Sequence, residues 1–320
     1  MTSQQTLNLR VRSIREAAAR VHVFELVDDA GGSLPGFTAG AHLSLTLPVG
    51  LTRSYSLINP QHETSRYEVA VNLDARSRGG SRCLHEAVRV GQCLPASAPQ
   101  NLFPLNEQAG QSLFIAGGIG ITPIRAMVRR LDALGRDWTL HYCARSRREA
   151  AFVDEFEGDA RVRLYFDDEA AQVGASRLDI VRLLADTPAT THVYCCGPAG
   201  MLDAYLSAAS SRPADTVHYE RFGAELAAPV NDGGYRVTLA RSGKSLPVPP
   251  GKTVLQVLRE AGLSPASSCE QGVCGSCETA VLAGRPEHRD QVLTSQERAA
   301  GRSMMICCSG CLDDELVLDL

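Results

Sequence analysis

The chain has no run of about 18 apolar residues among its 320, so the sequence offers no membrane-spanning helix. Its opening stretch, MTSQQTLNLRVRSIREAAARVHVFEL, lacks the long apolar core of a secretory signal. No block of basic residues stands out and the formal net charge is −4, which argues against a nucleic-acid partner. There is no internal repeat and no low-complexity tract. These absences lead to the expectation of a cytoplasmic globular protein, and the length suggests two or three domains. What the chain does not lack is cysteine. It has eleven, and in a reducing compartment clustered cysteines bind metal or do redox work more often than they pair.

Three rhythms divide the sequence. Residues 1–106 carry short alternating runs (RVHVFEL, HLSLTL, RSYSLI, YEVAVNL) broken by Gly and Pro, which predict an antiparallel β-barrel or sandwich. SRCLHEAV reads as a short helix within it. Residues 107–226 alternate strands (SLFIAGG, WTLHYCAR, RVRLYF, THVYCCG) with helices, which predicts an α/β domain around a parallel sheet. In TPIRAMVRRLDALG, Thr122 is the expected N-cap, Pro123 the first helical residue and Gly135 the stop. Residues 227–234 read as a linker. Residues 235–320 open on a hairpin, continue into a helix capped by Thr253 and stopped by Gly262, and close on the strand ELVLDL.

The third segment holds SSCEQGVCGSCETA, in which Cys269, Cys274 and Cys277 follow a C-x4-C-x2-C spacing. Followed by a distant fourth cysteine, that is the plant-type [2Fe–2S] pattern. SMMICCSGC supplies the fourth. Cys307 is the expected ligand, with Cys308 and Cys311 competing; in extended backbone Cys308 would point the opposite way. Gly272 and Gly275 suit a tight loop that turns N–H groups toward sulfur. Structural zinc sites usually pair two short knuckles, and only one C-x2-C is present. The segment resembles a plant-type ferredoxin domain of α+β (β-grasp) fold. Of the scattered cysteines, Cys83, Cys93, Cys143 and Cys195 read as small buried side chains.

A cluster takes single electrons whereas a nicotinamide gives a hydride, so a flavin is expected between them. RSYSL resembles the R-x-Y-S/T flavin motif of the ferredoxin–NADP reductase superfamily. The resemblance implies that Arg53 meets the flavin phosphate, that Ser54 and Tyr55 line the flavin, and that Ser56 bonds near its N5. In SRGGS, Gly79, Gly80 and Ser81 offer N–H groups and a hydroxyl to a phosphate at a helix start. AGGIGITPIRAM follows an apolar strand and opens a helix, a context for dinucleotide binding. It matches the superfamily's G-G-x-G-[IV]-T-P motif, which implicates Gly117, Gly118, Gly120, Thr122 and Pro123. CCGPAGM matches C-G-P-x-x-M, with Gly197 and Pro198 shaping the turn and Cys196 near the nicotinamide C4. Arg145 and Ser146 are expected at the nucleotide's ribose or phosphate. In HYERFG, Phe222 is expected to cover the flavin ring and Glu220 to lie near the transfer site.

The order of the three segments resembles the phthalate dioxygenase reductase family, which includes vanillate O-demethylase reductases, over essentially the whole chain. The resemblance implies FMN rather than FAD, NADH as donor, a monomer, and a Rieske-type oxygenase as transient partner. It names Ser56, Cys196 and Glu220 as the residues at the hydride-transfer point. A reductase serving a cytochrome P450 and a non-catalytic flavin/iron–sulfur sensor are the alternatives. Arg145, Arg147 and Arg148 keep NADPH open as donor, while Asp167 and Asp168 follow the next strand.

Overall fold

The computed structural model describes residues 6–75, 77, 79–168, 177–222, 233–267 and 269–320. The chain divides into two units, Met1–Phe222 and Gly223–Leu320. Of the expected linker 227–234, residues 227–232 lie outside the described residues.

The first unit begins with six antiparallel strands: β1 (Thr6–Ala18), β2 (Val21–Asp28), β3 (His42–Thr46), β4 (Thr52–Ser56), β5 (Tyr67–Asn72) and β6 (Cys93–Ser97). They run in the order β4-β3-β6-β1-β2-β5. The bridge Leu57↔Val69 joins the two ends, so the sheet closes into a barrel and keeps no long free edge. The alternation read in the sequence sends Leu9, Val11, Phe24, Leu26, Leu43 and Leu45 inward. Each such burial contributes about 1.5–3 kcal/mol. The short helix α1 (Gly80–Glu86) covers the barrel with Cys83 and Leu84. Cys93, read as buried, is exposed at the start of β6, where its neighbours in the pairing face outward.

The same unit continues into five parallel strands: β7 (Gln111–Gly117), β8 (Asp137–Ala144), β9 (Val162–Phe166), β10 (His192–Cys196) and β11 (Val217–Glu220). Their order is β11-β10-β7-β8-β9. β7 is central and buried almost throughout, as a two-faced parallel strand must be. The helix α2 (Ile121–Leu134) follows β7 and stops at Gly135, which has a left-handed φ of 61°. Its start differs from the expectation. The 3-10 turn Gly118–Gly120 leads straight into it, so the N-cap is Gly120. Thr122 lies inside the helix and donates its hydroxyl to the Ile119 carbonyl at 2.9 Å. AAFVDEF forms only the one-turn helix α3 (Val153–Phe156), because Phe152 before it is left-handed (φ 62°).

The second unit has a five-stranded sheet in the order β13-β12-β18-β14-β16. Its strands are β12 (Tyr235–Leu239), β13 (Ser245–Val248), β14 (Glu278–Ala283), β16 (Ser303–Met305) and β18 (Glu315–Leu318), with a small separate pair, β15 (Pro286–Glu287) and β17 (Gly310–Cys311). β12 pairs antiparallel with β13 and parallel with β18. The helix Val254–Glu260 packs Val254, Leu255 and Leu258 on the sheet, and Thr253 and Gln256 form its capping box. Among the described residues no helix is long and apolar enough to cross a membrane.

Candidate functional site

β4 carries Arg53, Ser54, Tyr55 and Ser56 and pairs residue for residue with β3. Alternation sends Arg53 and Tyr55 to one face and the two serines to the other. Ser54 shares a 3.0 Å hydroxyl contact with Ser44. Arg53 crosses the start of α1: a methyl carbon on Gly80 would stand 2.8 Å from the Arg53 Cγ and 3.1 Å from its Nε. Gly79 caps that helix with a φ of 96°, a conformation that favours glycine. The Ser77 hydroxyl accepts from the Gly79 N–H at 3.2 Å and the Arg82 N–H at 3.4 Å, while the Gly80 and Ser81 N–H groups between them have no intrahelical carbonyl to bond. The Ser81 hydroxyl accepts from the Asp74 N–H at 3.2 Å, which leaves its own proton to donate. Arg78 of this turn lies outside the described residues. Tyr55 is half-buried against the barrel core, and burial pushes its phenol well up against the opposing charge of Arg53.

Ser56 is 5% exposed and its hydroxyl has no hydrogen-bond partner in the protein. Leaving a buried hydroxyl unpaired costs about 1–3 kcal/mol, so such a group points to a missing partner. A flavin ring edge, which offers hydrogen-bonding nitrogens and oxygens, fits it.

β7 and β10 are neighbours, and the chain order reverses between them, which makes the loops at their C-terminal ends the switch-point crevice of the sheet. The two loops touch through glycine. A methyl carbon on Gly120 would meet the Cys196 carbonyl oxygen at 2.1 Å, and one on Gly117 would meet Pro198 Cδ at 2.5 Å. One on Gly197 would meet Met201 Sδ at 2.7 Å and Gly117 Cα at 3.1 Å. Three of the glycines expected at the nucleotide therefore let one loop lie on the other. Gly118 differs: its φ is 54° and nothing stands within 4 Å of where its side chain would be. Thr122 and Pro123 are buried behind the loop.

Cys196 is fully buried and pairs in register with Glu220 on β11. Burial pushes its thiol well up, helped by the neighbouring carboxylate, so it stays protonated. Burial also raises Glu220 to about 8, and its Oε2 is buried without a partner. Phe222, two residues on, is 43% exposed. Arg145 is exposed just past β8. Ser146 caps the turn Arg147–Glu149, accepting from the Glu149 N–H at 3.3 Å. Arg147 pairs with Glu157 at 2.9 Å and lies 4.9 Å over the Phe166 ring.

Barrel and parallel sheet share one apolar cluster, in which Ala39 and Ile58 pack with Ala116, Ile121 and Cys196. Sequence reasoning missed the polar tie across it. The Arg125 Nη1 donates to the Ile58 carbonyl at 2.7 Å, and its Nε and Nη2 donate to Glu155 at 2.8 and 2.7 Å. The available signal was a charged residue on an otherwise apolar helix stripe, between Ile124 and Met127.

In the second unit the thiol loop runs through left-handed Glu270 (φ 53°), Gly272 (φ 69°) and Gly275 (φ 77°). These turns aim the Gln271 N–H at the Cys269 sulfur, 3.3 Å away. Arg259 of the helix Val254–Glu260 anchors the loop to Glu270 at 2.7 Å and to Ser267 at 2.9 Å. β14 and β16 pair Glu278 with Met305, which brings Cys277 and Cys307 together from distant points in the chain. The thiols stand close enough to interact: hydrogen bonds from Cys274 and Cys307 pull Cys269 well below the usual thiol range, and the same bonds push Cys274 and Cys307 up. The expectation for Cys308 rested on extended backbone. Instead residues 306–308 turn, with the Ser309 N–H on the Met305 carbonyl at 2.9 Å. The Cys308 sulfur lies behind the loop, 2.5 Å from where a side chain on Gly272 would be. Cys311 sits apart on β17 and takes the Asp313 N–H at 3.4 Å. Among the described residues no three His, Cys, Asp or Glu side chains are arranged around a single ion. A two-iron cluster asks for something else, two thiolates on each iron, and four soft thiols on an N–H-lined loop fit it.

Residues 114–206 match the family described as oxidoreductase NAD-binding domain, and residues 237–311 match the 2Fe-2S iron-sulfur cluster binding domain. The chain is 51% identical over 315 residues to the phenoxybenzoate dioxygenase subunit beta of Ectopseudomonas oleovorans, covering 98% of this chain and 97% of the relative. It is 38% identical over 318 residues to the phthalate dioxygenase reductase of Burkholderia cepacia, covering 98% and 97%. A solved phthalate dioxygenase reductase, described as a modular structure for electron transfer from pyridine nucleotides to [2Fe–2S], superposes with a TM-score of 0.82 at 38% identity over 98% of each chain. An intact type IV self-sufficient cytochrome P450 monooxygenase matches 98% of this chain with 41% of its own, at 40% identity and a TM-score of 0.79. Matched over 98% of its length by such relatives, and carrying both domain signatures, the chain belongs to the phthalate dioxygenase reductase family of oxidoreductases.

Proposed function

We propose that the protein is the NADH-dependent reductase component of a two-component Rieske-type aromatic oxygenase or demethylase. Segments 1–106, 107–226 and 235–320 serve as its flavin, nucleotide and cluster domains. The observation that carries the reading is the packed core that joins Ile58, two residues past the flavin-motif strand, to Ile121 and Cys196 at the switch-point loops of the nucleotide sheet. Bound FMN would supply the conversion between the two-electron hydride of NADH and the single electrons that a [2Fe–2S] cluster accepts.

The chain's own residues bind and orient. Arg53 holds the FMN phosphate by charge, Gly80 and Ser81 bond it through first-turn N–H groups and the Ser81 hydroxyl, and Gly79 supplies the left-handed turn that presents them. Ser54 and Tyr55 line the flavin, and the unpartnered Ser56 hydroxyl bonds its reactive edge. Gly118 leaves the nucleotide loop open toward the nicotinamide, while Gly117, Gly120, Gly197 and Pro198 fix the distance between the two loops; Thr122 and Pro123 brace them from behind. Cys196 presents a neutral thiol at the transfer point. Glu220, held protonated, adds no negative charge there. Arg145 and Ser146 meet the nucleotide's ribose or phosphate, and Phe222 covers the ring. No side chain need move a proton for a hydride to pass, so positioning supplies most of the rate. Cys269, Cys274, Cys277 and Cys307 hold the cluster.

Docking to the oxygenase is transient and small, under about 1,200 Å² in total. The protein acts as a monomer in the cytoplasm, a reducing compartment in which eleven unpaired thiols persist. The test is an anaerobic titration of the purified protein with NADH and, separately, NADPH, followed by visible absorption and EPR. Flavin bleaching by NADH with a rhombic reduced-cluster signal is the expected result. If dithionite reduces the cluster but neither nucleotide bleaches the flavin, the reading fails and a sensor role takes its place.

One observation favours a second acceptor: part of a self-sufficient cytochrome P450 monooxygenase matches this chain at 40% identity, close to the 38% of the solved phthalate dioxygenase reductase. NADH-dependent turnover with a P450, and none with Rieske oxygenases, would select it.

A further inference from the structure

Arg125 is 3% exposed, and every polar arm of its guanidinium is used. One Nη holds the Ile58 carbonyl at 2.7 Å, and the Nε and other Nη form a fork on Glu155. The flat of the group lies 4.4 Å over the Phe152 ring. Glu155 is held further by Arg129 at 3.1 Å. Burial works to raise the Glu155 carboxyl, but the two arginines hold it below the usual range, so the pair is ionised.

The two ends of this tie are the two halves of the site. Ile58 stands two residues past Ser56, and its segment is fixed in the barrel on every other side: the Leu57 N–H bonds Ala41, the Ile58 N–H bonds Glu68, and the fully buried Asn59 side chain bonds the Arg66 carbonyl and the Glu68 N–H. Arg125 is one turn into α2, which is continuous with the Gly118–Gly120 turn of the nucleotide loop. The guanidinium thus links the segment just past the flavin strand to the nucleotide loop through one directed bond, and its two bonds to Glu155 hold it at a fixed angle within the nucleotide half.

A stabilising role alone explains this poorly. Apolar packing already joins barrel and sheet across the same surface, and Met127 is close enough that a side chain on Gly40 would stand 2.8 Å from its methyl carbon. An ion pair whose carboxylate is about a third exposed adds little net stability, because solvent screens it. What packing lacks is direction: it resists separation but tolerates sliding. A hydrogen bond to Ile58 from a guanidinium that two further bonds to Glu155 hold at a fixed angle resists sliding and rotation.

We propose that Arg125 is a positioning residue for hydride transfer, locking the register of the strand that carries Ser56 against the loop that meets the nicotinamide. This inference rests on the function proposed above.

The test compares wild type with Arg125→Met, Arg125→Lys and the double variant Arg125→Met/Glu155→Met. The double variant removes both charges, so its behaviour does not depend on a Glu155 carboxylate, 36% exposed, that has lost one of its two arginines. FMN content, thermal midpoint and NAD⁺ affinity are measured together with the limiting rate of flavin bleaching by NADH under anaerobic stopped flow. The charge-transfer absorbance of the reduced protein with NAD⁺ reports ring stacking at equilibrium. A displacement near 1 Å costs on the order of 10²-fold in rate. The double variant should therefore keep FMN and its melting temperature, lose roughly 10–100-fold in limiting rate, and weaken the charge-transfer band. Arg125→Lys, a point charge without the fork, should fall between. A double variant with the wild-type rate and band overturns the inference, as does a rate loss that only tracks FMN loss. If the wild type itself is not bleached by NADH, the proposed function falls and this inference with it; bleaching of the wild type with unslowed variants overturns this inference alone.

Discussion

Replacing Gly120 by alanine isolates a single distance. The residue's φ of −61° and ψ of −7° suit alanine, and removing a glycine from a helical conformation gains about 0.5–1 kcal/mol. Backbone preference thus favours the variant. Space does not. The new methyl carbon would stand 2.1 Å from the Cys196 carbonyl oxygen, 2.5 Å from its carbon and 2.9 Å from the Gly197 nitrogen. Ordinary contact begins near 3.4 Å, so the two loops must part by about 1.3 Å (3.4 − 2.1). All three atoms are backbone, and no flexible side chain can give way instead. Overpacking of this kind costs about 1–3 kcal/mol, which the backbone gain offsets in part. Stability should therefore fall by the balance of the two, on the order of 1–2 kcal/mol.

Reactivity should fall more. The loops on either side of the gap are those proposed to hold the nicotinamide, and a misplacement near 1 Å costs on the order of 10²-fold. Gly120→Ala should therefore slow flavin bleaching by NADH roughly 10–100-fold in anaerobic stopped flow, with FMN content unchanged. Gly118→Ala is the contrasting variant. Its φ of 54° strains any side chain, yet nothing lies within 4 Å, so it should lose stability of about 1 kcal/mol without opening the loops. A Gly120→Ala protein with wild-type NADH affinity and bleaching rate would refute the claim that this approach sets the site.

Three further outcomes follow from the thiol loop and the buried carboxyl. Cys307→Ser should lose the reduced-cluster EPR signal while Cys308→Ser keeps it; the reverse pattern reassigns the fourth ligand. Gly272→Ala combines a φ of 69° with a methyl carbon 2.5 Å from the Cys308 sulfur, so iron per chain should drop, and full occupancy would mean that the loop yields more readily than its backbone suggests. Glu220 is raised by burial from 4.5 to about 8 and is therefore stable in the fold as the neutral acid. Its contribution is fully present below about pH 4.5 and is lost as pH rises through about 8, so the flavin-free wild type should lose thermal stability relative to Glu220→Gln across that window. Parallel melting curves for the two proteins would show that Glu220 ionises freely.

What the sequence made legible was whatever rests on local chemistry. The C-x4-C-x2-C spacing, the Thr253 cap and the Gly135 stop each depend on a few adjacent residues, and each stands where it was expected. The misreadings share a different cause. Thr122 has every mark of an N-cap, yet the preceding glycines form a 3-10 turn because they must lie against Cys196 and Gly197, and that contact is made across two strands. Cys308 was read from an assumed extended backbone that reverses at Met305. The same glycines look from the sequence like residues that meet the dinucleotide, while the close approaches show Gly117, Gly120 and Gly197 spent on loop-to-loop contact and Gly118 left open. The tie from Arg125 to Ile58 spans 67 residues, and no local pattern announces it. In this fold the motifs say which groups meet the cofactors. The distances between those groups are set by contacts from elsewhere in the chain, and since hydride transfer depends on distance more than on any acid or base, the residues that govern its rate include ones that no motif contains.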